Sequence, residues 1–354
     1  MIYHLSLYLK AFWPFFNVFH YVSVRAVAAL LTSLCVALAC GGPFIALSKR
    51  YFCSKARQFT PESHKIKDNK PTMGGIFIVA TVVFNALLWC NLSNPQVWIF
   101  LFCIIGFGLI GFWDDWNKIY RHMGISARIK LQLQLLVAFL VILALMATPF
   151  FSTQLVFPFF KSCTPDLGWL FIPWGVFLLV GCSNAVNLTD GLDGLAIGAL
   201  LPNFATFSII SYLAGHYAIA HYLHIPFAAC SEITIIGAIL IGTSLGFLWF
   251  NTYPAHIFMG DVGSLALGAG LALMALMAKQ ELLLAISGGL FVLETVSVIL
   301  QVLSVKFLGK RIFKMAPIHH HFELLGWPES HITARFGIIS LVLCLLALIT
   351  LKLR

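Results

Sequence analysis

Runs of about twenty apolar residues recur along a chain of 354 and leave it few ways to fold. Ten of them fall near residues 22–47, 73–90, 97–113, 130–148, 168–186, 194–213, 232–250, 262–278, 282–305 and 335–352. A hydrocarbon layer of about 30 Å needs about 20 helical residues per crossing, and every backbone amide inside it must be satisfied within the chain. Length and continuous apolarity favour helices over barrel strands. The sequence therefore predicts an all-α polytopic membrane protein, a single domain over residues 1–354 with ten transmembrane helices. Three of the runs, 73–90, 97–113 and 262–278, are short for that task. Composition agrees, because a soluble domain of this size would expose far more charge than the 10% of charged residues found beside 60% hydrophobic ones.

Lysine and arginine set the orientation. Sixteen of the 22 basic residues lie in three stretches, Ser48–Pro71, Asp114–Lys130 and Lys306–Arg335. By the positive-inside rule that face is cytoplasmic, and ten spans then place both termini outside the cytoplasm. The net charge of +9 is mostly this signal. It suits a lipid surface and phosphate-bearing ligands, and no nucleic acid is needed to explain it. Residues 1–21 are rich in aromatics with one late lysine, and read as an interfacial segment rather than a signal peptide. The nine cysteines form no CxxC pair and sit mostly in apolar runs, as small buried side chains do. The loops around 149–167 and 214–231 carry prolines and aromatics but little reactive chemistry, and are expected to be structural caps.

Five polar stretches interrupt the oil, and all fall on the basic face: Lys70–Gly75, Asp114-Asp115, Asn187–Gly194, Asn251–Ser264 and His319-His320-His321. A carboxylate at mid-bilayer costs roughly 2.5–3.5 kcal/mol on insertion scales, so acids gathered on one face point to a site there. Asp114 and Asp115 close the third run; as neighbours they cannot share a helix face and must serve different partners. Their place at a helix C-terminus opposes the dipole, although acids at helix ends are often merely solvated. In NLTDGLDG, Asp190 and Asp193 share a face if the segment is helical, and Gly191 and Gly194 permit close approach of a ligand. Asn187 or Thr189 could equally cap a helix. Asp261 opens the eighth run; an oxygen-only donor set drawn from several loops suits Mg²⁺ rather than zinc, whereas a lone capping Asp would be the plainer reading. Three successive histidines cannot all meet one metal from a helix, and donation to a diphosphate is easier to arrange. Lys70 by itself could be an orientation charge. Glu294 stands apart, inside the ninth run with Thr295, Ser297 and Gln301 nearby.

Together PTMGG at 71–75, the Asp114-Asp115 pair, NLTDGLDGLA at 187–196, FMGDVGS at 258–264 and APIHHHFE at 316–323 closely resemble the phospho-N-acetylmuramoyl-pentapeptide-transferases of bacterial peptidoglycan synthesis. The resemblance covers essentially the whole chain. It implies transfer of phospho-MurNAc-pentapeptide from its UDP carrier to undecaprenyl phosphate at the cytoplasmic face of the bacterial inner membrane, with Mg²⁺ required and lipid I and UMP released. Carried over by motif, Asp261 is the first expected magnesium ligand and Asp190 the second. Asp114 would orient or deprotonate the lipid phosphate with Asp115 in support. Asp193, Gly191, Leu192 and Asn251 would line the uridine and diphosphate pocket, with Asn187 among the substrate-side donors. Phe258 would stack on uracil, Lys70, Lys118, Lys130, His320 and His321 would contact phosphates, and His319 would be on the substrate side. A sibling transferase using a UDP-N-acetylhexosamine would share the aspartates but lack PTMGG and HHHFE. A cation or proton transporter would need acids along a path through the membrane, where Glu294 is the only deep acid the sequence offers. The oligomeric state, a homodimer included, is left open.

Overall fold

The structure, a computed structural model, describes residues 1–10, 12–52, 70–149, 151–160 and 164–352. Most of the basic loop before Lys70, with Lys55, Arg57, Lys65 and Lys67, lies outside the described residues, as do Cys53 and Cys163. In chain order the helices are α1 (Ile2–Leu9), α2 (Val22–Tyr51), α3 (Gly74–Trp89), α4 (Pro95–Arg121), α5 (Ala127–Met146), α6 (Phe171–Thr189), α7 (Leu195–Ala214), α8 (Tyr217–Leu223), α9 (Ser231–Asn251), α10 (Gly260–Met277), α11 (Leu283–Ser287), α12 (Gly289–Leu308), α13 (Ile318–Glu323) and α14 (Glu329–Thr350). Among the described residues there is no strand; an isolated antiparallel bridge joins Gln154 and Asp166.

Each of the ten apolar runs carries a helix, and the protein is all-α and polytopic. Nine of the described helices are long and apolar enough to cross a membrane, whereas α3 has 16 residues. Two boundaries differ from the sequence reading. Helix α4 continues through Arg121, so Asp114 and Asp115 lie inside it rather than at its end. Lys118 supplies the reason: it pairs with Asp114 and Asp115 one turn back, and with Arg121 it places positive charge on the last turn. The ninth run is divided, with α11 ending at Ser287 and α12 beginning at Gly289.

Helix α10 is the centre of the bundle. Its apolar window is 89% buried, against 22–28% for α2, α5, α12 and α14, which leave most of their surface for lipid. It packs on α4, α6, α3 and α7, and its glycines and alanines let neighbouring backbones come close, as small residues do between membrane helices. The core around it includes Phe100, Phe107, Phe204 and Leu271.

At the end of the bundle away from the five polar stretches, Arg25 holds Glu232 through two bonds of 2.7 and 3.0 Å, and Asn91 N–H adds a third donor at 2.9 Å. A second buried pair, Lys279 and Glu281, meets at 2.7 Å. Glu232, in the first turn of α9, and Glu281, just before α11, are therefore acids buried at helix ends. The described cysteines are free, and Cys35 and Cys40, against expectation, are exposed on α2. The aromatics of the first segment, Tyr8, Phe12, Trp13 and Phe15, are exposed, consistent with an interfacial position.

Candidate active site

The loops joining alternate helices bring the five polar stretches to one end of the bundle. The tightest cluster surrounds two ammonium groups. Lys118 Nζ lies 2.8 Å from Asp114 Oδ2, 3.2 Å from Asp115 Oδ1 and 2.8 Å from Asp261 Oδ2. Lys130 Nζ, from the first turn of α5, lies 3.2 Å from Asp114 Oδ2 and 2.5 Å from Asp261 Oδ2. Three carboxylates from two helices thus share two cations in a largely enclosed space, where such pairs are screened little by solvent.

The adjacent aspartates share Lys118 but otherwise serve different partners. Asp115 Oδ2 accepts the backbone N–H of Asp261 at 2.7 Å and of Val262 at 3.4 Å, so it caps α10 from a neighbouring helix. Asp114 Oδ1 accepts Ile125 N–H at 2.9 Å and fixes the turn leading to α5. This crossing depends on Gly111: a Cβ there would lie 2.3 Å from the Asp261 carbonyl oxygen. From the last turn of α6, Asn187 Nδ2 donates to Asp261 Oδ1 at 3.0 Å and to Ser264 Oγ at 2.8 Å.

Asp190 and Asp193 do not share a helix face. The NLTDGLDG segment leaves α6 at Thr189 and is a turn until α7 starts at Leu195, with Gly194 at φ +78°. Asp190 has its charged neighbours in Asp261, Asp115 and Asp193, and burial together with those carboxylates pushes its own carboxyl up to about 8. Asp193 turns the other way, where its Oδ2 accepts Ala255 N–H at 2.9 Å and Lys70 Nζ stands at 4.0 Å. Asn251 bridges this half, accepting Gly194 N–H at 3.1 Å and donating to the Ile257 carbonyl at 2.8 Å. Lys70 sits 5.7 Å from the Phe258 ring, whose backbone N–H is held by the Pro71 carbonyl at 2.9 Å. Leu192 is buried in the core rather than at the surface of the site.

The three histidines of α13 part company. His319 is fully buried, with Nδ1 3.1 Å from Glu294 Oε1. His320 Nδ1 meets Glu323 at 3.0 Å, and His321 Nδ1 accepts Lys314 N–H at 3.1 Å. The sequence reading missed Glu329, whose Oε1 accepts Asp193 N–H at 2.7 Å, and Ser264. Glu329 had one faint signal, an acid in the first turn of the last helix.

The donor set fits an oxygen-seeking cation: carboxylates of Asp261, Asp190, Asp114 and Asp115 with no thiol among them. Among the described residues, however, no three His, Cys, Asp or Glu side chains converge as a metal centre. The ammonium of Lys118 stands where the carboxylates meet, so Asp261 would exchange a lysine contact to take up a metal ion.

The sequence profile of glycosyl transferase family 4 matches residues 97–279. Over 361 aligned positions the chain is 51% identical to the phospho-N-acetylmuramoyl-pentapeptide-transferases of two strains of Nitratidesulfovibrio vulgaris. It is 49% identical over 358 positions to that of Oleidesulfovibrio alaskensis and 48% over 359 to that of Syntrophus aciditrophicus. In each case the alignment covers 100% of both chains.

Proposed function

Because the chain belongs to glycosyl transferase family 4 and, along its whole length, to the phospho-N-acetylmuramoyl-pentapeptide-transferases, we propose that it transfers phospho-MurNAc-pentapeptide from UDP-MurNAc-pentapeptide to undecaprenyl phosphate, giving lipid I and UMP. The observation that carries the residue assignment is the meeting of Asp114, Asp115 and Asp261 around Lys118 and Lys130. Phosphoryl transfer asks the protein chiefly to position two phosphates and offset their charge. Five groups on rigid helices, beside a loop system holding Lys70, Asp193, Asn251 and Phe258, suit that demand. The acceptor is carried by the bilayer and the donor by water, so the reaction belongs where helix ends meet the cytoplasm.

The acceptor is a phosphomonoester with a second pKa of about 6, mostly ionised at neutral pH. A strong base is not required. Asp114 already engages Ile125 N–H and both ammonium groups, which supports a role in holding the lysines and orienting the lipid phosphate over one in removing a proton. Lys118 and Lys130 are placed to trade a carboxylate partner for a phosphate oxygen. Lys70 stands beside Asp193 in the nucleotide half, His320 and His321 are assigned to phosphate contacts, and Phe258 offers uracil an aromatic face. We assign Mg²⁺ to Asp261, with Asp190 second; bound there it would offset diphosphate charge.

The test is UMP release from UDP-MurNAc-pentapeptide with and without undecaprenyl phosphate, in magnesium and in chelator. Release that needs both acceptor and magnesium is expected. Release from a UDP-N-acetylhexosamine instead would overturn the donor assignment, and unchanged release in both Asp114→Asn and Asp261→Asn would overturn the site. Direct attack of one phosphate on the other is expected, and trapping a phosphorylated enzyme with nucleotide alone would refute it.

A further inference from the structure

Glu294 is the intramembrane acid that the site above leaves unused. It lies on α12, is 0% exposed, and its Oε1 is 3.1 Å from Nδ1 of His319, also 0% exposed. Glu294 Oε2 and His319 Nε2 have no partner. The far edge of the imidazole lies against the NLTDGLDG turn: a Cβ at Gly191 would fall 2.2 Å from His319 Nε2 and 3.0 Å from Cε1. Only glycine lets the ring and the turn come that close.

The two halves of that turn are held differently. The Asp193 half is tied by hydrogen bonds to Glu329, Asn251 and Ala255. Among the described residues, the Asp190–Gly191 half has the backbone bonds to Val186 and Thr189 and the close approach of the His319 ring. A carboxyl group on one ring nitrogen fixes which tautomer the other nitrogen presents.

We propose that Glu294 is a positioning residue acting through His319. His319 Nδ1–H donates to Glu294, which sets the ring plane and turns the unprotonated Nε2 edge onto Gly191. Held there, the ring is a strut between α12 and the turn, and it keeps the Asp190 carboxylate directed at Asp261 and Asp115. His319 thereby serves the site from behind. The inference rests on the transferase reading for its rate measurement but not for its structural one.

Glu294→Gln keeps the volume and removes the carboxyl group. Its kcat for UMP release is expected to fall roughly 10–100-fold, the usual cost of losing a carboxylate that orients a functional histidine, with UMP affinity within about twofold of the parent. His319→Asn should fall similarly, and the double variant should be no worse than His319→Asn alone. Independently, the ¹⁵N spectrum of histidine-labelled protein, with His319 assigned by its loss in His319→Asn, should show the proton on Nδ1. A double variant whose loss is the product of the two single losses, UMP affinity falling in step with kcat, or a wild-type proton on Nε2 would each overturn the proposal. If the parent enzyme releases no UMP the transferase reading fails instead, and the spectrum still decides whether Glu294 orients His319.

Discussion

Replacing Gly111 by alanine puts a methyl group where α4 and α10 leave no room. The new Cβ would stand 2.3 Å from the Asp261 carbonyl oxygen, 2.4 Å from its carbon and 2.6 Å from Val262 nitrogen, all of them backbone atoms that cannot rotate away. An ordinary contact of 3.4–4 Å requires the helices to part by about 1 Å or more. Overpacking of this kind costs about 1–3 kcal/mol of stability. The larger effect falls on the site, because the same crossing sets the 2.7 Å bond from Asp261 N–H to Asp115, which stretches beyond bonding distance when the helices separate. A displacement of about 1 Å at a positioned group lowers rates on the order of 100-fold. The assay is UMP release per folded molecule in detergent, with the folded fraction taken from a thermal melt. Gly198→Ala is the control, since nothing lies within 4 Å of its Cβ. If Gly111→Ala retains kcat within about threefold of the parent, the α4–α10 crossing does not set the catalytic geometry.

Other outcomes are as definite. Lys118→Met leaves Asp114, Asp115 and Asp261 facing one another without the shared ammonium, and UMP release should fall at least about 100-fold. Lys118→Arg should not restore it, because a planar fork does not replace a point charge among three carboxylates; recovery in kinetic assays would count against the shared-ammonium geometry. The raised carboxyl of Asp190 gives a pH signature. Its folded value of about 8 against the ordinary 3.8 means the folded state holds a proton that the unfolded chain has released, so its contribution to stability is present below 3.8 and lost as pH rises to about 8. In chelator, Asp190→Asn should therefore melt higher than the parent at pH 9 and alike at pH 4; equal melting at pH 9 would refute the shift. At the other end of the bundle, Arg25→Met leaves Glu232 buried and unpaired, at a cost of about 3–5 kcal/mol. Calorimetry should show that loss, partly recovered in Arg25→Met/Glu232→Leu, with unchanged kcat in the folded fraction.

Much of this protein could be read from residues alone. Ten apolar runs each carry helix, and nine of the described helices are long and apolar enough to cross a bilayer, because each span must close its own hydrogen bonds and cannot borrow from neighbours. The polar stretches could be found the same way, since acids are costly in oil wherever the chain puts them. The motifs Lys70–Gly75 and Ala316–Glu323 identified the family that full-length relatives at 48–51% identity share.

What the chain does with those residues was settled by packing. Asp115 caps a helix that begins 145 positions after it, and Asn251 ties Gly194 across 57. Such bonds depend on which helix crosses which, and no local pattern encodes a crossing. The turn at NLTDGLDG illustrates the limit: a spacing of three suggested one helical face, but Gly194 at φ +78° ends the regular backbone and sends Asp190 towards Asp261 and Asp193 towards Ala255. Likewise three consecutive histidines are chemically alike in sequence. Only the tertiary structure buries His319 against Glu294 and Gly191 while leaving its two neighbours partly open, because burial belongs to the place a side chain occupies and not to its type.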